Sequence, residues 1–201
     1  NAQDITLWIP LPLNVKNDLP WQPTIDGINI IDSPMNLLKR DDYALTNISS
    51  LIIGSVSNET LSFLYTPMKD PIEPIYYDMM LLAMLGSERA PKVIKFYNKW
   101  VEKGDARNAL TVLTSDFYFI CPIRRVARLL SSSSFKKNFS ARKKIPTRLY
   151  SFEYSPILDP INNFTYCRGG AVCHGAELAY EFHSAGLVPG FSFGNVLEKF
   201  L

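Results

Sequence analysis

The chain has 201 residues, of which 47% are hydrophobic and 12% aromatic, and its formal net charge is only +2. That is enough apolar material for one domain with its own core, and too little charge excess for a disordered segment or a nucleic-acid binder. No stretch approaches the roughly 20 apolar residues of a bilayer-spanning helix. The run Met79–Leu85 is short, and Tyr77 and Asp78 open it with polar groups.

The first residues, Asn1-Ala2-Gln3-Asp4, lack the charged start and apolar run of a signal peptide. With no initiator methionine, the segment is expected to be processed or cut from a longer protein. Residues 1–27 hold four prolines and no clean periodicity, so they predict an extended, loop-like opening that ends in the turn Asp26-Gly27. Ser33-Pro34 then opens a short amphipathic helix with Met35, Leu37 and Leu38 as its apolar face. Leu51-Ile52-Ile53-Gly54 reads as a strand buried on both faces, of the parallel-sheet kind. Residues 61–130 are expected to be mostly helical. Ile75–Leu85 and Pro91–Lys103 each carry apolar positions at three and four spacing, with Val93, Ile94, Tyr97, Trp100 and Val101 on one side of the second. A third helix is expected from about Asp105, and a fourth through Ile123, Val126, Ala127 and Leu130.

Residues 131–146 include Lys136, Lys137, Arg142, Lys143 and Lys144 and read as an exposed basic connection. They lack the interleaved aromatics of a nucleic-acid surface. Arg148–Tyr154 alternates and is aromatic, which predicts a second strand. After Pro156 and Pro160 come a loop from Cys167 to Gly175 and a short helix from Ala176 to His183. Helices between apolar strands make an α/β pattern. Two strands alone are not a stable sheet, so the sheet is expected to continue in chain beyond these residues.

Three cysteines, Cys121, Cys167 and Cys173, leave one thiol without a partner inside the segment. With no Cys-x-x-Cys and two histidines there is no zinc pattern, and no motif calls for a cofactor. Sequons at Asn47, Asn58, Asn138 and Asn163 lean toward a secretory or extracellular route.

Two residues stand where chemistry is done. His174, in Val172-Cys173-His174-Gly175-Ala176-Glu177-Leu178, follows a strand and a loop and precedes a helix. Open α/β sheets keep working groups on such loops, and imidazole titrates near neutrality. Glu59 lies in the loop after the Leu51 strand, where a carboxylate can orient a histidine. Taken singly, each has a plainer reading: a capping histidine, and a glutamate favoured by a helix dipole. Taken together, acid then histidine is the α/β-hydrolase order, with the nucleophile upstream of both. Gly86-Ser87-Glu88 fails the Gly-x-Ser-x-Gly elbow, so the nucleophilic serine is expected outside the 201 residues, before Asn1.

The block Val172–Phe182 resembles the histidine motif of type-B carboxylesterases, the family of the cholinesterases. Leu51–Glu59 resembles the strand and loop carrying that family's acid. Pro23-Thr24-Ile25-Asp26-Gly27 and Asp116-Phe117-Tyr118-Phe119-Ile120-Cys121-Pro122 resemble two further family segments, and all four stand in family order. The resemblance implies the C-terminal part of an α/β-hydrolase, incomplete by itself, over residues 1–201. It implies His174 as base and Glu59 as acid of a Ser-His-Glu triad acting on a small-molecule ester, with the rest of the domain upstream as its partner. It also implies a catalytically inactive adhesion or secreted structural relative as the alternative.

The family's usual Asp-Glu-Gly is here Asn58-Glu59-Thr60, which makes the acid's neighbour a sequon. A glycan there would block the site, so Asn58 is expected to be unmodified, which leaves Asn47, Asn138 and Asn163 as the glycosylation candidates. Cys167 and Cys173 flank the histidine loop and are candidates for a disulfide, or else for reduced core thiols. In the cholinesterases the counterpart of Cys121 pairs near the C-terminus, so Cys121 is the expected odd one. Glu177 reads as structural, near the start of its helix.

Overall fold

The computed structural model describes residues 23–40, 48–131, 145–155, 165–167 and 170–183. The basic run Lys136–Lys144 and the sequons at Asn47, Asn138 and Asn163 lie outside them.

The turn at Asp26-Gly27 forms as expected. Asp26 Oδ1 accepts from the backbone N–H of Ile28, Asn29 and Ile30, each at 2.9 Å, and these bonds hold its carboxyl down at about 2. Ser33 caps helix α1, Pro34–Arg40, with its carbonyl accepting from Asn36 and Leu37 N–H. Proline at the first helical position loses no bond.

Strand β1, Leu51–Val56, pairs in parallel with β2, Thr147–Phe152, from Leu51 opposite Thr147 to Val56 opposite Phe152. Parallel pairing requires a long crossover, and the helices fill it: α2, Leu61–Tyr65; α3, Pro74–Tyr97; α4, Arg107–Ser115; and α5, Cys121–Ser131. Helix α6, Leu178–Glu181, follows the histidine loop. Gly54 is needed where it stands. A Cβ there would lie 2.3 Å from the Tyr150 ring, which crosses β1 at that point.

Several expectations require correction. The two helices expected over 75–103 are both present within α3: the helix breaks at Gly86 (φ 75°, ψ 169°), directly after the expected end at Leu85, and resumes ahead of Pro91, earlier than expected. The run ends at Tyr97, passes through a 3₁₀ turn at Asn98–Trp100, and leaves Lys103 outside any helix at φ 49°. Helices α4 and α5 join through a wide π turn, Asp116–Ile120. The final helix is shorter than 176–183. The exposed connection does not extend over 131–146. Ser131 ends α5, and Ile145 is buried with its N–H on Leu130 carbonyl.

The strand expected to be covered on both faces is covered at one end only. Ser55 and Val56 are buried, while Ile52 is 70% exposed on one face and Leu149 of β2, opposite Ile53, is exposed on the other. The main core lies between the helices, where Leu64, Tyr77, Leu81, Ala90, Ala106, Ala109 and Leu110 meet. Val93, Ile94, Trp100 and Val101 pack against it, four of the five residues expected on that side; the fifth, Tyr97, turns its hydroxyl to Asp116. A smaller cluster of Val56, Val172 and Ala176, with Phe152 beside it, holds the histidine loop against the sheet.

Candidate active site

Glu59 follows β1 through a tight turn, and Leu61 N–H closes it onto Asn58 carbonyl. The Glu59 carboxylate is 4% exposed. A buried carboxylate must find donors, and both oxygens have one. Val56 N–H donates to Oε1 at 3.0 Å, and His174 Nδ1 stands 2.5 Å from Oε2. Because a carboxylate can only accept, Nδ1 carries the proton of that bond, and the lone pair of the neutral ring sits on Nε2. The hydrogen bond to Glu59 raises the pKa of His174 above the usual imidazole value, against partial burial, which lowers it. The ring is half exposed. It lies between Phe63 of α2 and Phe119 of the π turn, whose centroids are 5.4 and 5.3 Å away. A π turn inside a helix is a frequent companion of functional sites.

The histidine loop is held to the acid loop directly. Asn58 and Cys173 form a parallel bridge; Asn58 N–H donates to Val172 carbonyl, and Val172 N–H donates to Asn58 Oδ1 at 3.1 Å. Cys173, next to His174, forms a disulfide with Cys167, and both are buried. Cys121 is free and exposed. On the other side of Glu59, the Thr60 hydroxyl stands among Thr111, Thr114 and Ser115 of α4.

Glu177 stands at the N-terminal cap position of α6, near the helix start as expected; it makes no side-chain cap bond, and its Oε2 is buried without a hydrogen-bond partner. Burial, and then the charge of nearby Glu59, push its carboxyl pKa up. Tyr150, lying across Gly54, is likewise raised to about 12 by burial and by its hydrogen bond to Glu181. Sequence reasoning missed Phe63, Phe119, Thr60 and the link made by Asn58. The only available signal for the last two was their departure from the Asp-Glu-Gly pattern.

The structure thus brings Glu59 and His174 together from 115 residues apart. One reading of the sequence itself needs correcting. A Gly-x-Ser-x-Gly pentapeptide does occur, as Gly190-Phe191-Ser192-Phe193-Gly194. It follows the histidine instead of preceding the acid, which is not the α/β-hydrolase order, and it lies outside the described residues.

A parallel strand pair with a helical crossover thus carries a buried glutamate bonded to Nδ1 of a loop histidine. The sequence model of the carboxylesterase family matches residues 7–195, and the chain belongs to that family. Two curated relatives come from Dictyostelium discoideum. The chain is 30% identical to the Crystal protein over 164 residues, which are 82% of this chain and 27% of that protein. It is 28% identical to the cAMP-regulated D2 protein, again over 82% of this chain and 28% of the relative. The chain therefore spans little more than a quarter of the length of these relatives. No helix among the described residues is long and apolar enough to cross a membrane.

Proposed function

We propose that the protein containing this chain is a serine carboxylic ester hydrolase, and that residues 1–201 are the C-terminal portion of its α/β-hydrolase domain. The observation that carries this is the bond from His174 Nδ1 to the buried Glu59 carboxylate. In this reading a serine attacks the carbonyl of a small-molecule ester, and His174 Nε2 accepts its proton and returns it to the leaving alcohol. Glu59 keeps the ring in the Nδ1–H tautomer and stabilises the imidazolium. The serine and the oxyanion donors come from upstream chain, which also continues the sheet and covers Ile52 and Leu149. No cofactor is needed, and the segment alone is inactive. The buried disulfide and the sequons at Asn47, Asn138 and Asn163 support a secretory or extracellular setting. Asn58 stays unmodified in this reading, because a glycan beside Glu59 would block the site.

The second reading is a non-catalytic secreted or structural protein. The printed name of one relative, Crystal protein, describes a material and not a reaction. A fluorophosphonate probe on the full-length protein separates the two. Label on a serine peptide upstream of Asn1, lost when His174 is changed to alanine, establishes the esterase. A well-folded protein that takes no label moves the assignment to the structural reading. Label on the peptide containing Ser192 overturns the order proposed for the triad.

A further inference from the structure

The acid loop is fastened on both sides, by Asn58 to the histidine loop and by Thr60 to α4. The second fastening has no counterpart in the catalytic roles described above. The Thr60 hydroxyl is buried 3.0 Å from Thr111 carbonyl, 2.6 Å from Thr114 Oγ1 and 3.1 Å from Ser115 Oγ. Thr60 N–H donates to the same Ser115 Oγ at 3.2 Å. Thr111, Thr114 and Ser115 are themselves buried. The Thr114 hydroxyl is further held by Leu110 carbonyl at 2.7 Å. Three buried hydroxyls and a carbonyl concentrated at one loop position are costly unless each is satisfied in a defined geometry, and a satisfied cluster admits little displacement.

We propose that Thr60 is a positioning residue. Its hydroxyl locks the loop to the last turn of α4, and so fixes the Glu59 carboxylate at the distance where it can hold His174 Nδ1.

The mechanical logic is local. Glu59 lies between Asn58, tied to Val172, and Thr60, tied to α4. Release of either neighbour lets the carboxylate swing. Thr60 is the neighbour whose anchor is independent of the histidine loop. Its loss therefore changes the relation between the two halves of the pair, where loss of Asn58 would disturb both halves at once. Sub-ångström placement of such a pair is worth orders of magnitude in rate.

The test uses the full-length protein with Thr60→Val, which keeps the shape and deletes the hydroxyl, and Thr60→Ser, which restores it. The first readout is the downfield proton resonance of His174 Nδ1–H and its titration midpoint, assigned with a His174→Gln variant. This arm does not depend on the protein being an esterase. Thr60→Val should weaken the resonance and move the midpoint down toward the ordinary imidazole value, and Thr60→Ser should keep both. The second readout rests on the proposed esterase function. In Thr60→Val, kcat per fluorophosphonate-titrated site should fall about tenfold, with KM within about twofold. Should Thr60→Val fail to fold, Ser115→Ala removes the partner from the α4 side and should move the same readouts in the same direction. An unchanged resonance and midpoint in folded Thr60→Val or Ser115→Ala would overturn the proposal, whatever happens to thermal stability. A normal His174 resonance response in a protein without turnover would instead retain the positioning role and refute the esterase assignment.

Discussion

Helix α4 faces two different interiors. On one side Ala109 and Leu110 join Leu81 and Tyr77 in an apolar cluster. On the other, the Thr111 carbonyl and the Thr114 and Ser115 hydroxyls meet the Thr60 hydroxyl in a buried polar cluster. The first is held by burial, which has no direction and tolerates small shifts. The second is held by hydrogen bonds, which fix distance and angle and fail together when one is removed. The apolar side therefore governs whether the segment folds, and the polar side governs where Glu59 stands.

Substitutions should separate the two sides. The largest effects belong to the pair itself. In the proposed esterase, His174→Gln should lower kcat about 10⁶-fold, and Glu59→Gln about 10⁴-fold, with no loss of the folded state by circular dichroism. Next comes the apolar side. Leu81→Ala should cost about 2–5 kcal/mol in denaturant unfolding while leaving kcat of the folded enzyme unchanged. A change in kcat alongside that loss would show that the two faces of α4 are coupled. Gly54→Ala stands between them, because the new Cβ meets the Tyr150 ring and either β1 or Tyr150 must move. A cost of about 1–3 kcal/mol is expected, and Tyr150→Ala should relieve most of it in a double-mutant cycle.

The smallest effect is the pH dependence of stability. The Glu59 hydrogen bond raises the folded pKa of His174. The resulting stability is fully present below the unfolded imidazole value, about 6.5, and is lost as pH rises through the folded one. The Tm difference between wild type and His174→Gln should therefore be greatest in mild acid and shrink toward alkaline pH. The half-exposed ring keeps the effect modest. If the difference grew with pH, the bond to Glu59 would not be the cause of the shift. In an active enzyme the same raised pKa moves the acid limb of kcat/KM upward, since the base must be neutral to act.

Much of this was legible in the chain itself. Periodicity located the helices and the face carrying Val93, Ile94 and Trp100, because burying one side of a helix repeats every three or four residues. The end of the first long helix at Leu85 was legible as well, one residue before the break at Gly86. The exposure of Ile52 could not be read. An apolar run signals that a face wants cover, and only the spatial neighbours say whether these residues supply it.

The sequence by itself determined the chemistry of the pair: a carboxylate after one strand and an imidazole after the other, in a family order. Residue type and local pattern suffice for that. Only the tertiary structure decided that they meet at 2.5 Å, that Asn58 and Thr60 fasten the acid from opposite sides, and that Phe63 and Phe119 flank the ring. Hydroxyls and amides carry no periodic signature of burial. Their partners are set by which backbone turns the packed helices bring within about 3 Å, and in this chain those turns lie more than fifty residues away.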